Sequence, residues 1–166
     1  MPTRVKSIEK PRNLDAEMSI LGIAFLNKSA LTKICEELYA DMFYDEVNRN
    51  IFEAIKNLYN EKIPIDITTV KEELDKKNNL SDKIVDYLGE VIDSVATAAN
   101  LDYYIKIVKD KAVVRNLIET AEDIATRGYE DEEDVTSLLD DAEKKILNVV
   151  KERQTSDFIH IKDAIA

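Results

Sequence analysis

Apolar residues recur along this chain at intervals of three, four and seven, the spacing that lines one face of an α-helix. Leu14, Met18, Leu21 and Phe25 predict a first helix with that buried face, which Asn13 can cap and whose first turn holds Asp15 and Glu17, where the helix dipole favours acids. Gly22 lies inside it and costs about 1 kcal/mol relative to alanine, so another backbone is expected to approach closely there. Leu31, Ile34, Cys35 and Leu38 mark a second helix, and Val47, Ile51, Ile55 and Leu58 a third behind Asp45. Pro64 closes the next connection. Asp66 or Thr68 then caps a short helix with Val70 and Leu74, and Ser81 opens another with Ile84, Leu88, Val91, Ile92 and Val95. These five helices predict a globular body.

The stretch from Asn100 to Arg127 reads as one helix of about 28 residues and roughly 42 Å. A domain of about 100 residues is some 30 to 35 Å across, so this helix is expected to project. Its apolar positions form two faces. Leu101, Tyr104, Ile105, Val108 and Ala112 share the first, which suits the body. Val113, Val114, Leu117, Ile118, Ala121, Ile124 and Ala125 then cover about 140° on nearly the opposite side, wider than the roughly 100° stripe of an ordinary packed helix. Gly128 reads as a stop, and Glu130 to Asp134 as an acidic turn at an exposed tip. Val135, Leu138, Leu139, Ala142, Ile146, Val149 and Val150 place a return helix from Val135 to about Arg153, completing a hairpin. Gln154 to Asp157 looks like a linker, followed by Phe158, Ile161, Ala164 and Ile165 at helical spacing. So short a helix is unstable alone, and the sequence is expected to be the front part of a longer protein.

The expected fold is therefore all-α: a flexible basic arm (1–12), a small globular helical bundle (13–97), a long antiparallel helical hairpin (98–153), and a linker with the start of a linker helix (154–166). Three glycines and three prolines among 166 residues agree with helices joined by short turns. The formal charge of -11 argues against the chain gripping a phosphate backbone by itself. Arg4, Lys6, Lys10 and Arg12 make the arm basic, but an unstructured terminus is the simpler reading. Lys106, Lys109, Lys111 and Arg115 scatter around the long helix and are read as solvated charges. Cys35, the one cysteine, sits among apolar neighbours and reads as core. No 18-residue apolar span and no export signal occur, so a cytoplasmic location without membrane contact is expected.

Catalytic chemistry is hard to place. No G-x-x-x-x-G-K-[ST] phosphate loop is present, and the only histidine, His160, cannot supply a di-iron site or a nucleophile triad. The expectation is a chain with no catalytic, metal or cofactor-binding residues, whose partners are proteins.

Four local patterns carry a resemblance to a known family. Pro11-Arg12-Asn13-Leu14-Asp15-Ala16-Glu17-Met18-Ser19-Ile20-Leu21-Gly22 looks like the opening helix of the N-terminal domain of bacterial replicative DNA helicases, the DnaB family. Phe43-Tyr44 followed by Ile51-Phe52 resembles its third helix. Pro64-Ile65-Asp66-Ile67-Thr68-Thr69-Val70 is similar to the family's P-[IV]-D-x-[IV]-T-[LV], with Thr68 at a usually apolar position. Ala98-Ala99-Asn100-Leu101, Tyr104, and the run from Ile107 to Arg115 resemble the start of the family's hairpin, with Ala96 where a proline is usual. The resemblance implies hairpins paired between subunits, a collar above a hexameric ring, docking of a DnaG-type primase, and ATP and Mg used by a motor domain absent from this chain. DNA would be met only through the parent protein. It also implies that the segment of Phe158, Ile161 and Ile165 is a linker helix that docks on the neighbouring subunit's motor domain.

Both readings converge on the hairpin. The return helix carries a single stripe about 120° wide and covers only part of the broad face, so Val113, Leu117 and Ile124 are expected at a subunit interface. A stand-alone dimeric helical adaptor without a motor is the alternative.

Overall fold

Each of the first five helices begins at a side chain that accepts a hydrogen bond from the backbone three residues on. In the computed structural model, which describes residues 9–130 and 134–165 and side chains through Arg153, Asn13 caps α1 (Leu14–Ala24) and Asn27 caps α2 (Lys28–Glu37). Asp45 caps α3 (Glu46–Asn60), Asp66 caps α4 (Ile67–Lys76) and Ser81 caps α5 (Asp82–Asp93). At α4 the cap is reciprocal: Thr69 N donates to Asp66 Oδ1 at 2.8 Å while Asp66 N donates to Thr69 Oγ1 at 3.0 Å. Such caps stabilise a helix by about 1 kcal/mol each. Two of these helices end in left-handed residues, Lys62 (φ 61°) and Asn78 (φ 57°). Ile63 N bonds back to Leu58 O and Asn79 N to Leu74 O, both at 2.9 Å, the six-to-one closure of a helix C-terminus. A short 3₁₀ turn, Ala40–Met42, precedes α3; α6 (Leu101–Glu130) and α7 (Val135–Ile165) complete the chain. Among the described residues no strand occurs, as the all-α expectation required.

The chain divides into two units, one of residues Arg12–Asp110 and one of Met1–Pro11 with Lys111–Ala166. The division falls inside α6. Its first ten residues belong to the first unit, where Leu101, Ile105 and Val108 are buried with Tyr104 packed beside them. These four are members of the first apolar face anticipated for the long helix.

The first unit is built around α1. Ala16, Ile20, Leu21, Ile23 and Ala24 are all buried, whereas Leu14 is exposed and Met18 and Phe25 are only partly covered. The single buried face expected from Leu14, Met18, Leu21 and Phe25 is thus corrected: α1 packs against α2, α3 and α5, and a helix with neighbours on three sides buries more than one stripe. Gly22 does meet another backbone. A Cβ built on it would lie 2.5 Å from the Val91 carbonyl oxygen and 2.7 Å from Val95 Cγ2 on the α5 side. Cys35 is buried, and burial pushes its thiol up to about 11, which keeps it protonated and unreactive at neutral pH.

Glu17 is the polar centre of this core, at 1% exposure. Its Oε2 accepts from Tyr44 N at 2.8 Å, and its Oε1 from Asp45 N at 3.3 Å and Asn48 Nδ2 at 3.0 Å. The carboxylate therefore seats on the backbone N–H groups that open α3, where the helix dipole favours negative charge. Tyr87 of α5 extends the network by donating its hydroxyl to Asn48 Oδ1 at 2.6 Å, and burial pushes that phenol up to about 12. Phe43 and Phe52, both fully buried, pack with tilted rings, centroids 4.9 Å apart. Between α2 and the start of α6, Lys33 pairs with Asp102, and Lys109 approaches Glu37 to 3.7 Å. Lys109 keeps only 15% of its side-chain exposure, so the expectation of a fully solvated charge fails there.

Candidate interaction surface of the helical hairpin

From Lys111 onward α6 belongs to the second unit, where its partner is α7. Three polar ties join them. Asn116 Nδ2 donates to Glu152 Oε2 at 2.7 Å, Asp123 pairs with Lys145, and Arg127 with Asp141. Lys145 also reaches Asp141 at 3.2 Å, and Arg127 Nε lies 3.8 Å from Asp123, so the four charges form one network. The hydrogen bond from Lys145 holds the Asp123 carboxyl below the usual range, and the same bond raises Lys145. A shallow groove of about 300 Å³ runs along this side, lined by Asn116, Glu119, Thr120, Asp123, Lys145, Asn148, Val149 and Glu152.

These ties fix which flank is which. At about 100° per residue, Asn116, Asp123 and Arg127 fall within about 40° on α6, as do Asp141, Lys145 and Glu152 on α7. Val114, Leu117 and Ala121 are centred about 130° away from the polar stripe on α6, and Val135, Leu139, Ile146 and Val150 about 130° away from it on α7. Half-buried Val113 and Ile124 and buried Val149 lie in between. Since the polar stripes face each other on one flank, the apolar stripes emerge together on the opposite flank. That second flank is open: Val114 and Leu117 are each 42% exposed and Leu139 64%.

Of the three residues expected at an interface, Leu117 stands on the open flank, while Val113 and Ile124 are half-covered at its inner edge. Val114, Leu139, Ile146 and Val150 complete the flank and were not singled out. The signal that finds them is the matching of Asn116, Asp123 and Arg127 to residues of opposite character on the return helix. Arg115 departs further from expectation. Far from solvated, it is 8% exposed, and its Nη1 donates to the Pro11 carbonyl at 2.9 Å.

Two expected breaks are absent. α6 continues through Gly128 to Glu130 because Arg127 ties this last turn to α7, and a helical glycine costs only about 1 kcal/mol. Glu130 and Asp134 are exposed, and the rest of the acidic turn lies outside the described residues. α7 likewise runs unbroken through the supposed linker at 154–157 to Ile165. Gln is a good helix former, and Thr, Ser and Asp are weak ones but not breakers, each within about 0.7 kcal/mol of alanine. The side chains of Phe158, Ile161 and Ile165 lie outside the described residues.

Comparison with known proteins decides the family. The family model described as the DnaB-like helicase N-terminal domain matches residues 9–110. The chain belongs to that family. Curated relatives extend the similarity over the hairpin: the replicative DNA helicase DnaC of Bacillus subtilis is 42% identical over 157 residues, and DnaB of Geobacillus stearothermophilus 38% over 156. Each alignment takes in 93% of this chain but 34% of the relative, so the chain spans about a third of their length. The crystal structure of the N-terminal domain of DnaB helicase from Mycobacterium tuberculosis superposes with a TM-score of 0.78 at 36% identity, covering 84% of this chain and 99% of that one. The N-terminal domain of DnaB helicase from Helicobacter pylori, described with its interactions with primase, shares the fold at TM-score 0.60 and 20% identity, over 69% of this chain and 89% of that one. The family match ends at residue 110, where the chain divides into its two units.

Proposed function

We propose that this chain is the N-terminal oligomerisation and protein-docking domain of a replicative DNA helicase. In this reading the open flank of the hairpin pairs with the same flank of a second copy, and paired hairpins build the collar of a hexamer. The collar docks a DnaG-type primase, while ATP, Mg and DNA are handled by a motor domain of the parent protein in the cytoplasm. Phe158, Ile161 and Ile165, on the last turns of α7, dock on the motor domain of the neighbouring subunit.

The observation that carries the reading is the segregation of the hairpin into a cross-linked polar flank and an open apolar one. Polar cross-links hold the two helices together, leaving Val114, Leu117, Leu139, Ile146 and Val150 exposed. Burying one such side chain stabilises a complex by about 1.5 to 3 kcal/mol, and aliphatic rows on both helices favour a partner of the same kind. Family membership and the primase interactions of the Helicobacter pylori domain support the docking role.

Sedimentation equilibrium of wild type and Leu117→Asp tests the pairing. The charged variant should dissociate at least about tenfold more readily, since a carboxylate would be desolvated without a partner, while its thermal midpoint as a monomer stays close to wild type. A variant that pairs as tightly as wild type and is equally stable would end the proposal.

A further inference from the structure

The charges of the hairpin are sorted along its length. Its polar ties fix the register: Asn116 meets Glu152, Asp123 meets Lys145 and Arg127 meets Asp141, so each step along α6 is matched by an equal step back along α7. By that register Asp140 stands level with Gly128, Glu143 with Ala125, Lys151 with Leu117 and Arg153 with Arg115. Toward the tip, residues 119–130 and 134–143 carry eight Asp and Glu against Arg127 alone. Toward the base, residues 111–118 and 144–153 carry six Lys and Arg against Glu152 alone. Glu119, on the side of α6 away from the open flank, is met by Lys10 Nζ at 3.0 Å. The expectation of a flexible arm is thereby corrected for Lys10 and for Pro11, which Arg115 holds; the stretch before Glu9 lies outside the described residues.

The same sorting holds at the border of the open flank. At about 100° per residue, Lys111 and Glu122 lie about 90° to 110° beyond the centre of the α6 apolar stripe, and Asp140 and Lys151 about 110° to 130° beyond that of α7. In each case this is the edge turned away from the other helix. Within the α7 stripe itself Glu143 precedes Ile146 and Val150, and Arg153 follows them. From tip to base the flank is therefore bordered by Asp140, Glu143 and Glu122, and then by Lys151, Arg153 and Lys111. Four of the six are exposed, and Glu122 and Lys111 are half-buried. At 1.5 Å per residue the acidic and basic groups are centred about 16 Å apart.

A second copy can lie on this flank in two ways that keep two-fold symmetry. With the tips together, acidic half faces acidic half and basic half faces basic half. Packed helices bring such charges within about 10 Å, no more than the Debye length at about 0.1 M salt, so they repel. Turned end for end about an axis between Leu117 and Ala121, the tip of one copy lies beside the base of the other. Glu143 then comes level with Arg153 of the second copy, and Asp140 and Glu122 lie within about 10 Å of the levels of Lys151 and Lys111. We infer that these six border charges set the hairpins antiparallel, tip to base, and select a second copy as the occupant of the flank. Opposite charges bordering an apolar seam fix orientation, and like charges penalise the alternative. The inference rests on the pairing reading above and adds its direction and the residues that fix it.

The test is sedimentation equilibrium of the full chain at about 0.05 M and about 1 M salt, where the Debye length falls to about 3 Å. At low salt Glu143→Lys and Arg153→Glu should each pair about tenfold more weakly than wild type, since two attractive pairs become two repulsive ones. Both changes in one chain should recover pairing to within about threefold, and all four proteins should converge at high salt. Both side chains are exposed, so thermal midpoints at high salt should match. Net charge alone gives the opposite sign for Glu143→Lys, which makes the chain less acidic. In the parallel arrangement each single change would relieve like charges and tighten pairing. Tighter or unchanged pairing by the single variants, or a double variant no better than either, would overturn the inference and leave the pairing reading standing. A wild type that stays monomeric at every salt concentration would instead remove the pairing reading itself, and this inference with it.

Discussion

In the Arg12–Asp110 unit one contiguous core runs from Ala16 to Val108, with a carboxylate sealed inside it, whereas in the other unit Val149 is the only buried hydrophobic residue among those described. The difference is geometric. A helix packed against three others buries more than one stripe, as α1 does, and a polar side chain carried inward, such as Glu17, must then find partners inside the core. Two helices side by side can cover only one strip of each other, so the hairpin uses ion pairs for its own cohesion and leaves its surplus apolar residues facing outward. The first unit buries a core of its own; the second leaves Val114, Leu117, Leu139, Ile146 and Val150 exposed.

The sharpest way to break this contrast is to disturb the closest packing in the saturated unit. Gly22→Ala places a methyl group 2.5 Å from a backbone oxygen of α5, and α1 and α5 must separate to admit it. We expect a loss of about 2 to 4 kcal/mol, read as a lower denaturation midpoint. Gly128→Ala, with nothing within 4 Å of the added atom, should cost nothing and serves as the control in the open unit. A mild Gly22→Ala would mean that the first unit is not saturated.

Next in size is the buried carboxylate. Glu17→Gln keeps the volume but presents an amide donor to a site built from the donors of Tyr44, Asp45 and Asn48. At least one donor is left facing another, at a cost of about 2 kcal/mol. Chemical denaturation measures it, and hydrogen exchange should show the N-terminus of α3 opening first. A neutral substitution would mean that the charge is not what seats that helix.

Glu17 also shows what the sequence could and could not convey. Helix spacing and capping residues were legible because they are local: Asn13, Asp45, Asp66 and Ser81 announce their helices within four residues. Glu17 was legible as a first-turn acid, but its real partners are 27 to 31 positions away, and nothing local announces them. The same holds for the hairpin. The width of the α6 stripe signalled an unfilled face, yet which edge of it stays open depends on the pairing of Asp123 with Lys145 and Arg127 with Asp141. Gly128 misled because a glycine permits a helix end without requiring one, and a tertiary ion pair settled the matter.

The smallest effect belongs to the network that holds the open unit together, and it sharpens the comparison by its dependence on pH and salt. Asp123 titrates below its ordinary 3.8 because Lys145 bonds to its charged form. A depressed carboxylate contributes stability above its unfolded pKa and loses it as pH falls through the folded value. Lys145, raised above 10.5 by the same bond, contributes below that pH and loses its share as pH rises through its own folded value. The tie is therefore complete between about pH 4 and 10, and weakens outside. Because the pair is exposed, its contribution is small and screened by salt. Asp123→Asn should speed amide exchange in α7 slightly at neutral pH and low salt, and the difference should shrink as pH falls through the carboxyl's lowered pKa. The Arg12–Asp110 unit should show no change under either condition. A uniform loss across both units would mean that the hairpin's cohesion is not its own, and the contrast between a sealed unit and an open one would fall.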